Sequence, residues 1–533
     1  MRVINPFLVI SLALLSGSAW AVPSDSYLFN VKSQTAAAKS PPAFWDVLFG
    51  RAKLDADLTV KVTDAATGLP MAGAAVMVGT KNGDPFTENV VRTDEAGLAA
   101  FTHESLRSGT PRPITVGKAG FTVVSLLQNT NNVVDVALQK IQGERDYGFM
   151  RGKLTGFPPG FDSGTLELGL FVPATRPADL LSFDLGLFVS SYKVKIDVYG
   201  EREVPGNAVL PNQSKRWGLI PLSFNKPDYI MPLPNGLETH MAGMVGSVAI
   251  SPAVTAIRNK DFISVLNITS FNHVGWTSRR VKVNGDDNFD INARHEVTPA
   301  MLTSKVSGVP EKLDVVSISL VDPEGDGGDF VAMDIKAQKA EEVKNGNTQF
   351  KLGLLKNRVQ GAAYYIFTGI FDRKQLSSSP LNIAATPDYR WIVGSTKPVG
   401  SARAAETRFS SFLKQMKPQG VSQGNREYRF STASNSKVEP DFTMVNIVSE
   451  KQNQRTQGIT RAILWSSIVQ GGITQLNLPD LGRPVLPNPD SSKGERFFWE
   501  VVAIKTRQPA KSELDLQSAL RNVEHVSSFT KAF

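Results

Sequence analysis

Three segments decide the fold of this chain: LTVKVTDAATGLPMAGAAVMVGT (residues 58–80), RTDEAGLAAFT (92–102) and PITVGKAGFTVVSLLQNTNNVVDVALQ (113–139). Leu58, Val60 and Val62 point to one face of a strand, because successive strand side chains alternate between faces. Asp94 and Gly97 frame a turn in which glycine tolerates a positive φ. The pattern predicts a small antiparallel β-sandwich that carries no catalytic group.

The same stretch resembles a known family. An alternating strand from Leu58 is followed by the turn Thr67-Gly68-Leu69-Pro70 before a strand of small residues, and then by the Asp94-x-x-Gly97 turn. This order resembles the carboxypeptidase regulatory-like family, whose members are transthyretin-type β-sandwiches found as accessory modules in exported proteins. The resemblance implies a β-sandwich and export, and it implies no activity.

The N-terminus has the features of a secretory signal peptide over residues 1–21. Arg2 supplies the positive charge, Phe7–Leu15 the apolar core, and Ala19-Trp20-Ala21 a small-x-small cleavage site, which predicts cleavage after Ala21. A retained anchor is the alternative, but the apolar run is shorter than the about 20 residues that a membrane span needs. We therefore predict no transmembrane span in the mature protein.

Composition favours an exported bacterial protein. The chain of 533 residues has no cysteine, which excludes disulfides, thiolate metal sites and a cysteine nucleophile. An export signal without cysteine favours the periplasm, outer membrane or cell surface of a Gram-negative bacterium. The net charge of +8 is scattered, with no basic run longer than Arg279-Arg280, so nucleic acid is not a predicted partner. Weak attraction to an anionic envelope polymer or lipopolysaccharide is the alternative to a merely solvated surface.

The chain is too long for one hydrophobic core. We predict a linker (22–55), a carboxypeptidase regulatory-like sandwich (56–140), a β-rich domain (141–310), a sandwich (311–400), a helix or linker (401–420) and a sandwich with a C-terminal tail (421–533). Phe409, Phe412 and Leu413 recur at helical steps and predict a helix over 402–417. KSELDLQSALRNVEHVSSF (511–529) favours a short helix capped by Ser512. The predicted fold class is all-β: several immunoglobulin- or transthyretin-like antiparallel sandwiches in series, with a few short helices.

The candidate metal ligands are Asp322, Glu324, Asp326 and Asp329 in the segment DPEGDGGD (322–329). Oxygen ligands at alternate positions followed by glycine resemble the beginning of a calcium loop, so Ca²⁺ is the one cofactor that the sequence offers. Met333 stands where an EF-hand needs its bidentate glutamate, and predicted strands flank the loop. The alternative is an acidic hairpin between two strands.

Other motifs point to no chemistry. Gly420–Gly424 matches G-x-S-x-G, but a predicted strand follows where a nucleophile elbow needs a helix, so we predict a loop. The five histidines lack the spacing of a helical zinc site. Trp217, Trp276 and Trp391 lie near loops or strand ends, where an indole can stack on sugar; core packing is the alternative.

We therefore expect an exported, non-catalytic cell-envelope or surface protein with a binding, adhesion or scaffolding role, whose partner is an envelope protein or polysaccharide. Sandwiches in series present loops at their ends, and their strand edges permit β-augmentation. The alternative function is an accessory or catalytic component acting on envelope polysaccharide or peptide. A catalytic domain with α/β or barrel content is not discernible in residues 143–533.

Overall fold

The structure is a computed structural model. It describes residues 30–33, 56–65, 67–80, 86, 89–141, 147–158, 164–174, 191–196, 200–217, 220–235, 238–252, 264, 267–327, 329–371, 389–400, 404–408, 413, 416–422, 427–432, 438–452, 459–473, 475–477, 495–507 and 523–532. Strands dominate these residues, and short 3-10 helices lie at Glu104–Ser108 and Ala340–Glu342. The predicted all-β fold class is confirmed. The predicted signal peptide lies outside the described residues.

The strands are numbered in chain order. In the N-terminal half they are β1 (Asn30–Ser33), β2 (Leu58–Asp64), β3 (Ala75–Val78), β4 (Val90–Arg92), β5 (Leu98–Phe101), β6 (Arg112–Gly117), β7 (Val123–Asn129), β8 (Val133–Leu138), β9 (Tyr147–Thr155), β10 (Thr165–Pro173), β11 (Ser191–Ile196), β12 (Gly200–Pro205), β13 (Ala208–Trp217), β14 (Ile220–Lys226), β15 (Asp228–Pro234), β16 (Glu238–Thr239) and β17 (Met241–Ala249). The others are β18 (Thr269–Trp276), β19 (Val281–Lys282), β20 (Asp287–Asn288), β21 (Ile291–Asn292), β22 (His295–Ser307), β23 (Asp314–Asp322), β24 (Val331–Gln338), β25 (Thr348–Leu355), β26 (Ala363–Phe371), β27 (Tyr389–Pro398), β28 (Ala404–Arg408), β29 (Met416–Ser422), β30 (Glu427–Thr432), β31 (Phe442–Gln452), β32 (Ile459–Gln470), β33 (Gln475–Asn477), β34 (Arg496–Thr506) and β35 (Val523–Ala532).

Residues 58–139 form strands in two sheets. One sheet has the order β1-β8-β2-β5, while β7, β6, β3 and β4 end a second, larger sheet. Leu58, Val60 and Val62 are at most 4% exposed and lie in one core, as their alternation predicts. The predicted turn is confirmed, since the Gly97 N–H donates to the Asp94 carbonyl at 2.9 Å and Gly97 has φ 74°.

The larger sheet has twelve strands in the order β24-β23-β26-β27-β35-β34-β31-β32-β7-β6-β3-β4. Strand β32 pairs in parallel with β7, with Trp465 aligned to Val123, and β27 pairs with β35. One sheet therefore contains strands from three of the predicted units. The boundaries between those units stay a prediction, because shared pairing does not decide where a folding unit ends.

A further sheet has the order β14-β13-β10-β17-β18-β22-β25, and β28 also pairs with β22. Beside it, β9 pairs with β15 and, in parallel, with β20 and β21. Three glycines of β9 and its end allow this close approach. A Cβ atom at each would lie within 2.6 Å of a backbone carbonyl oxygen: Gly148 at 1.9 Å from Gly285, Gly152 at 2.0 Å from Phe289, and Gly156 at 2.6 Å from Ala293.

We expect Gly148→Ala to lower the free energy of unfolding by about 2 kcal/mol, because backbone must move to admit the methyl group. Gly400→Ala is the matched control: a Cβ there meets nothing within 4 Å, so its effect should stay within about 0.5 kcal/mol. Urea unfolding of both variants measures the difference. Equal stabilities would contradict the close approach of β9 to the segment before β21.

The helix predicted over 402–417 is wrong where the chain is described. Residues Ala404–Arg408 form β28, which pairs in parallel with β22, and Met416 and Lys417 begin β29. Pairing with a strand about a hundred residues earlier overrides the local helical spacing, as tertiary context often does. Phe409 and Phe412 lie outside the described residues.

Two other expectations need correction. The predicted linker 22–55 contains a strand, β1, that pairs with β8. The short helix predicted over 511–529 is wrong from Val523 onward, since β35 lies between β27 and β34 in the large sheet. The preceding residues, 511–522, lie outside the described part. Residues 525–530 of β35 are all buried, which suits a strand whose two faces are both covered.

Candidate functional site

The acidic segment 322–329 is a loop between antiparallel strands. Strands β23 and β24 pair from Val315 opposite Gln338 to Val321 opposite Val331. The acidic hairpin proposed as an alternative is therefore the observed local structure. All four predicted metal ligands lie in or beside this loop.

Asp322 organises the loop from within. Its side chain is buried, and its Oδ1 accepts hydrogen bonds from the N–H groups of Glu324 (3.2 Å) and Gly325 (3.0 Å). Its Oδ2 accepts from the N–H of Gly327 at 2.7 Å. Burial raises the pKa of Asp322, and these hydrogen bonds partly offset that effect. Both oxygens are thus engaged by the loop's own backbone.

The other three predicted ligands converge on Arg280, which lies between β18 and β19. Its Nε is 3.0 Å from Asp329 Oδ2, its Nη2 is 3.0 Å from Asp326 Oδ2, and its Nη1 is 3.2 Å from Glu324 Oε2. Burial alone would lower the pKa of Arg280, but hydrogen bonds and charges from Asp326 and Asp329 outweigh it and raise the pKa. The cation among these carboxylates is a guanidinium, whose planar fork suits several acceptors at once.

His240 completes the cluster. Its side chain is 1% exposed, its Nδ1 lies 2.8 Å from the Thr277 carbonyl oxygen and its Nε2 lies 3.2 Å from Glu324 Oε1. Both ring nitrogens of His240 thus lie within hydrogen-bond distance of an acceptor oxygen. The backbone N–H of His240 donates to Asp329 at 3.1 Å.

The cluster therefore joins two parts of the fold. Arg280 and His240 flank strands of the sheet that contains β17 and β18, whereas the acidic loop belongs to the twelve-stranded sheet. We name the set Arg280, His240, Glu324, Asp326 and Asp329 the ionic joint. Its geometry fits the attachment of one sheet to another, because charge-assisted hydrogen bonds fix orientation as well as distance.

Within the described part of the chain, no group of three or more His, Cys, Asp or Glu side chains is arranged to hold a metal ion. The calcium site stays a prediction. Melting curves with and without Ca²⁺ test it. A higher Tm with Ca²⁺ that Asp326→Ala abolishes would support the site, and an unchanged Tm would fit the guanidinium as the cation of the loop.

Sequence reasoning missed the two basic partners. Arg280 stood out only as half of one of the longest basic runs, and His240 only as one of the scattered histidines. They lie 46 and 84 residues from Asp326 and Glu324, respectively. The local signal was an acidic loop without a nearby compensating charge, and spacing alone does not indicate which distant residue pairs with it.

Of the remaining candidate motifs, the structure describes Trp276 and the segment 420–422. The Trp276 indole is stacked on the His295 ring, with ring centroids 4.4 Å apart, and packs against the main core, which fits the core-packing alternative. The side chains of Trp217 and Trp391 lie outside the described part. Residues Gly420–Ser422 end β29 and are followed by another strand, β30, so the strand-to-helix turn of a nucleophile elbow is missing.

Lys226 is a buried basic residue that lies apart from the ionic joint. Lys226 Nζ donates to the carbonyl oxygens of Gly206 and Asp228, each at 2.8 Å, and of Ala208. Burial lowers the pKa of Lys226 to about 7. Between about pH 7 and pH 10 the unfolded chain therefore binds more protons at this lysine than the folded chain does.

The free energy of unfolding should therefore rise between about pH 7 and pH 10. We expect Lys226 to contribute a gain of about 2 kcal/mol in the free energy of unfolding between pH 7 and pH 9. Urea unfolding at both pH values, compared between the wild type and Lys226→Met, isolates this contribution. The same pH dependence in both proteins would contradict it.

The chain matches no protein-family model and no curated protein. Among solved structures it is similar to the TIE protein of Bacillus anthracis, with 10% identity over 58% of this chain and 45% of that chain and a TM-score of 0.13. For BcpA, the major pilin subunit of Bacillus cereus, identity is 10% over 66% of this chain and 97% of that chain, with a TM-score of 0.13. For the pilus adhesin SpaC of Lactobacillus rhamnosus GG, identity is 8% over 66% of this chain and 43% of that chain, with a TM-score of 0.14.

The chain thus spans less than half the length of the first and third of these proteins. TM-scores this low do not establish a shared arrangement of strands, and no function is carried over from these proteins. The resemblance of residues 56–140 to the carboxypeptidase regulatory-like family stays a prediction. No helix among the described residues has the length and apolar character needed to cross a bilayer.

Proposed function

We propose that this protein is an exported, non-catalytic component of the bacterial cell envelope or surface that acts by binding and scaffolding. The observation that carries the proposal is the twelve-stranded sheet, which contains strands from residues 75 to 532. At about 4.8 Å between strands, twelve strands measure about 50 Å across. A continuous sheet of this size supports the fixed spacing that a scaffold needs.

Two contacts between distant parts of the chain support the scaffolding role. Strand β32 pairs with β7 and thereby ties the N-terminal sandwich to the C-terminal strands. The ionic joint ties the acidic loop to Arg280 and His240. Polar clusters that hold elements together fit a structural assembly better than a site that must admit substrate and release product.

Export and binding are tested together. The full chain with a C-terminal tag is expressed in a Gram-negative host, and cells are separated into periplasm, outer membrane and medium. The mature protein should begin at Val22, and Ala21→Leu should retain the longer form because signal cleavage needs a small residue there. Purified protein is then tested for saturable binding to peptidoglycan sacculi, to lipopolysaccharide and to intact cells.

Export with saturable binding to one of these surfaces would support the proposal and name the partner class. Export with release of soluble sugar or peptide fragments from sacculi would contradict it and support the alternative, a component that acts on envelope polymers. Retention in the cytoplasm would contradict both.

A further inference from the structure

Strand β1 lies at the edge of the sheet β1-β8-β2-β5. It is antiparallel to β8, with Asn30 aligned to Ala137 and Ser33 to Val134. The other edge of β8 pairs in parallel with β2. In the described part of the chain, β1 is therefore what covers the outer edge of β8.

Strand β8 is held in place independently of β1. Val134, Val136 and Leu138 are at most 1% exposed and belong to the main core. The strand would keep its position if β1 left, and its outer N–H and C=O groups would then be unpaired. Such an edge is a template for pairing with another extended segment.

The chain between β1 and β2 is long enough for β1 to reach a neighbouring copy. Residues 34–55 separate β1 from the next described segment. Fully extended, these 22 residues reach about 75 Å. Strand β1 can thus reach the β8 edge of a neighbouring copy while β2 stays in its own sheet.

We propose that Asn30–Ser33 is an exchangeable strand that pairs with its own β8 in an isolated molecule and with β8 of a second copy where copies are crowded. The backbone pairs are the same in both arrangements, because both strands have the same sequence. The balance is therefore set by concentration, and a tethered strand has an effective concentration on the order of millimolar. This inference is independent of the cellular location proposed above.

The test uses engineered thiols, since the chain has no cysteine of its own. Lys32 and Asp135 are aligned across the two strands. The double variant Lys32→Cys/Asp135→Cys reports pairing within one chain when oxidised at about 10 μM, well below the millimolar range. An equal mixture of the two single variants reports pairing between chains when it is oxidised at about 1 mM after joint refolding.

The matched control mixes Lys32→Cys with Leu69→Cys, whose position is 64% exposed and is not aligned with β1. We expect the double variant to close within one chain, and the mixed single variants to give an interchain disulfide several-fold above the control. Peptide mass spectrometry identifies the bond, and size-exclusion chromatography should show that the oxidised double variant stays monomeric at both concentrations.

Two results would overturn the proposal. A mixed-variant cross-link at the control level at about 1 mM, together with a closed double variant, would show that β1 pairs but does not exchange. Failure of the folded double variant to close within one chain, with no cross-link above control, would show that β1 does not occupy the β8 edge at all.

Discussion

We expect Trp465→Ala to lower the free energy of unfolding by about 3–5 kcal/mol, among the largest effects of any single substitution in this chain. The Trp465 side chain is 3% exposed, and its Nε1–H donates to Ser125 Oγ at 2.9 Å. Beside it, Thr122 Oγ1 donates to the Ile463 carbonyl at 2.7 Å. Truncation removes packing and a hydrogen bond where β32 pairs with β7.

Two variants separate packing from hydrogen bonding. Trp465→Phe keeps an aromatic ring but loses the donor, so it should cost about 1–3 kcal/mol, because Ser125 then lacks one partner. Ser125 keeps its contact with Thr115 at 2.8 Å. The measurement is urea unfolding followed by tryptophan-independent far-UV circular dichroism. A cost for Trp465→Ala no larger than that for Trp465→Phe would contradict the packing role.

The pairing of β32 with β7 shows which features of the fold the sequence predicts and which it does not. Composition identifies β32 as a strand, since RAILWSSIV (461–469) contains the isoleucine, valine and tryptophan residues that are enriched in strands. Nothing local identifies its neighbour, because Ser125 lies 340 residues away. Strand existence is therefore encoded locally, whereas the merging of three predicted sandwiches into one sheet depends on pairings that only the folded chain reveals.

In the ionic joint, too, the local structure is predictable from the sequence and the distant partner is not. Local spacing correctly places Asp322 and the other acids in a hairpin loop, and the turn-forming role of Asp322 follows from the glycines after it. The guanidinium that they contact comes from another sheet, and local spacing did not indicate it; the Ca²⁺ site stays a prediction. Local spacing also predicted a helix over 402–417, where pairing with β22 prevailed.

We expect Arg280→Ala to cost about 3 kcal/mol, at the low end for a broken buried pair because the arginine side chain is 25% exposed. The substitution leaves Glu324, Asp326 and Asp329 close together without the guanidinium, while His240 still contacts Glu324 and Asp329. Asp329 bears most of the cost, since its side chain is 5% exposed and its charge cannot be solvated by water. Urea unfolding measures the loss.

Neighbouring Arg279 is the matched control. It is exposed, and its backbone carbonyl, which accepts from Thr277 Oγ1 at 2.8 Å, survives substitution by alanine. Arg279→Ala should stay within about 0.5 kcal/mol of the wild type. Arg280→Lys should fall between the two variants, because a single ammonium keeps the charge but cannot bind three carboxylates in one plane.

A double-mutant cycle then tests whether the guanidinium is the cation that the loop requires. In the wild type, Asp326→Asn removes an ion pair with Arg280. In the Arg280→Ala background, the same substitution removes repulsion between carboxylates. The costs in unfolding free energy of Arg280→Ala and Asp326→Asn should therefore be non-additive by at least about 1 kcal/mol. Ca²⁺ should likewise raise the Tm of Arg280→Ala more than that of the wild type, because only the variant leaves carboxylates without their cation. Additive costs and equal Tm shifts would mean that Arg280 lies beside the acidic loop without neutralising it.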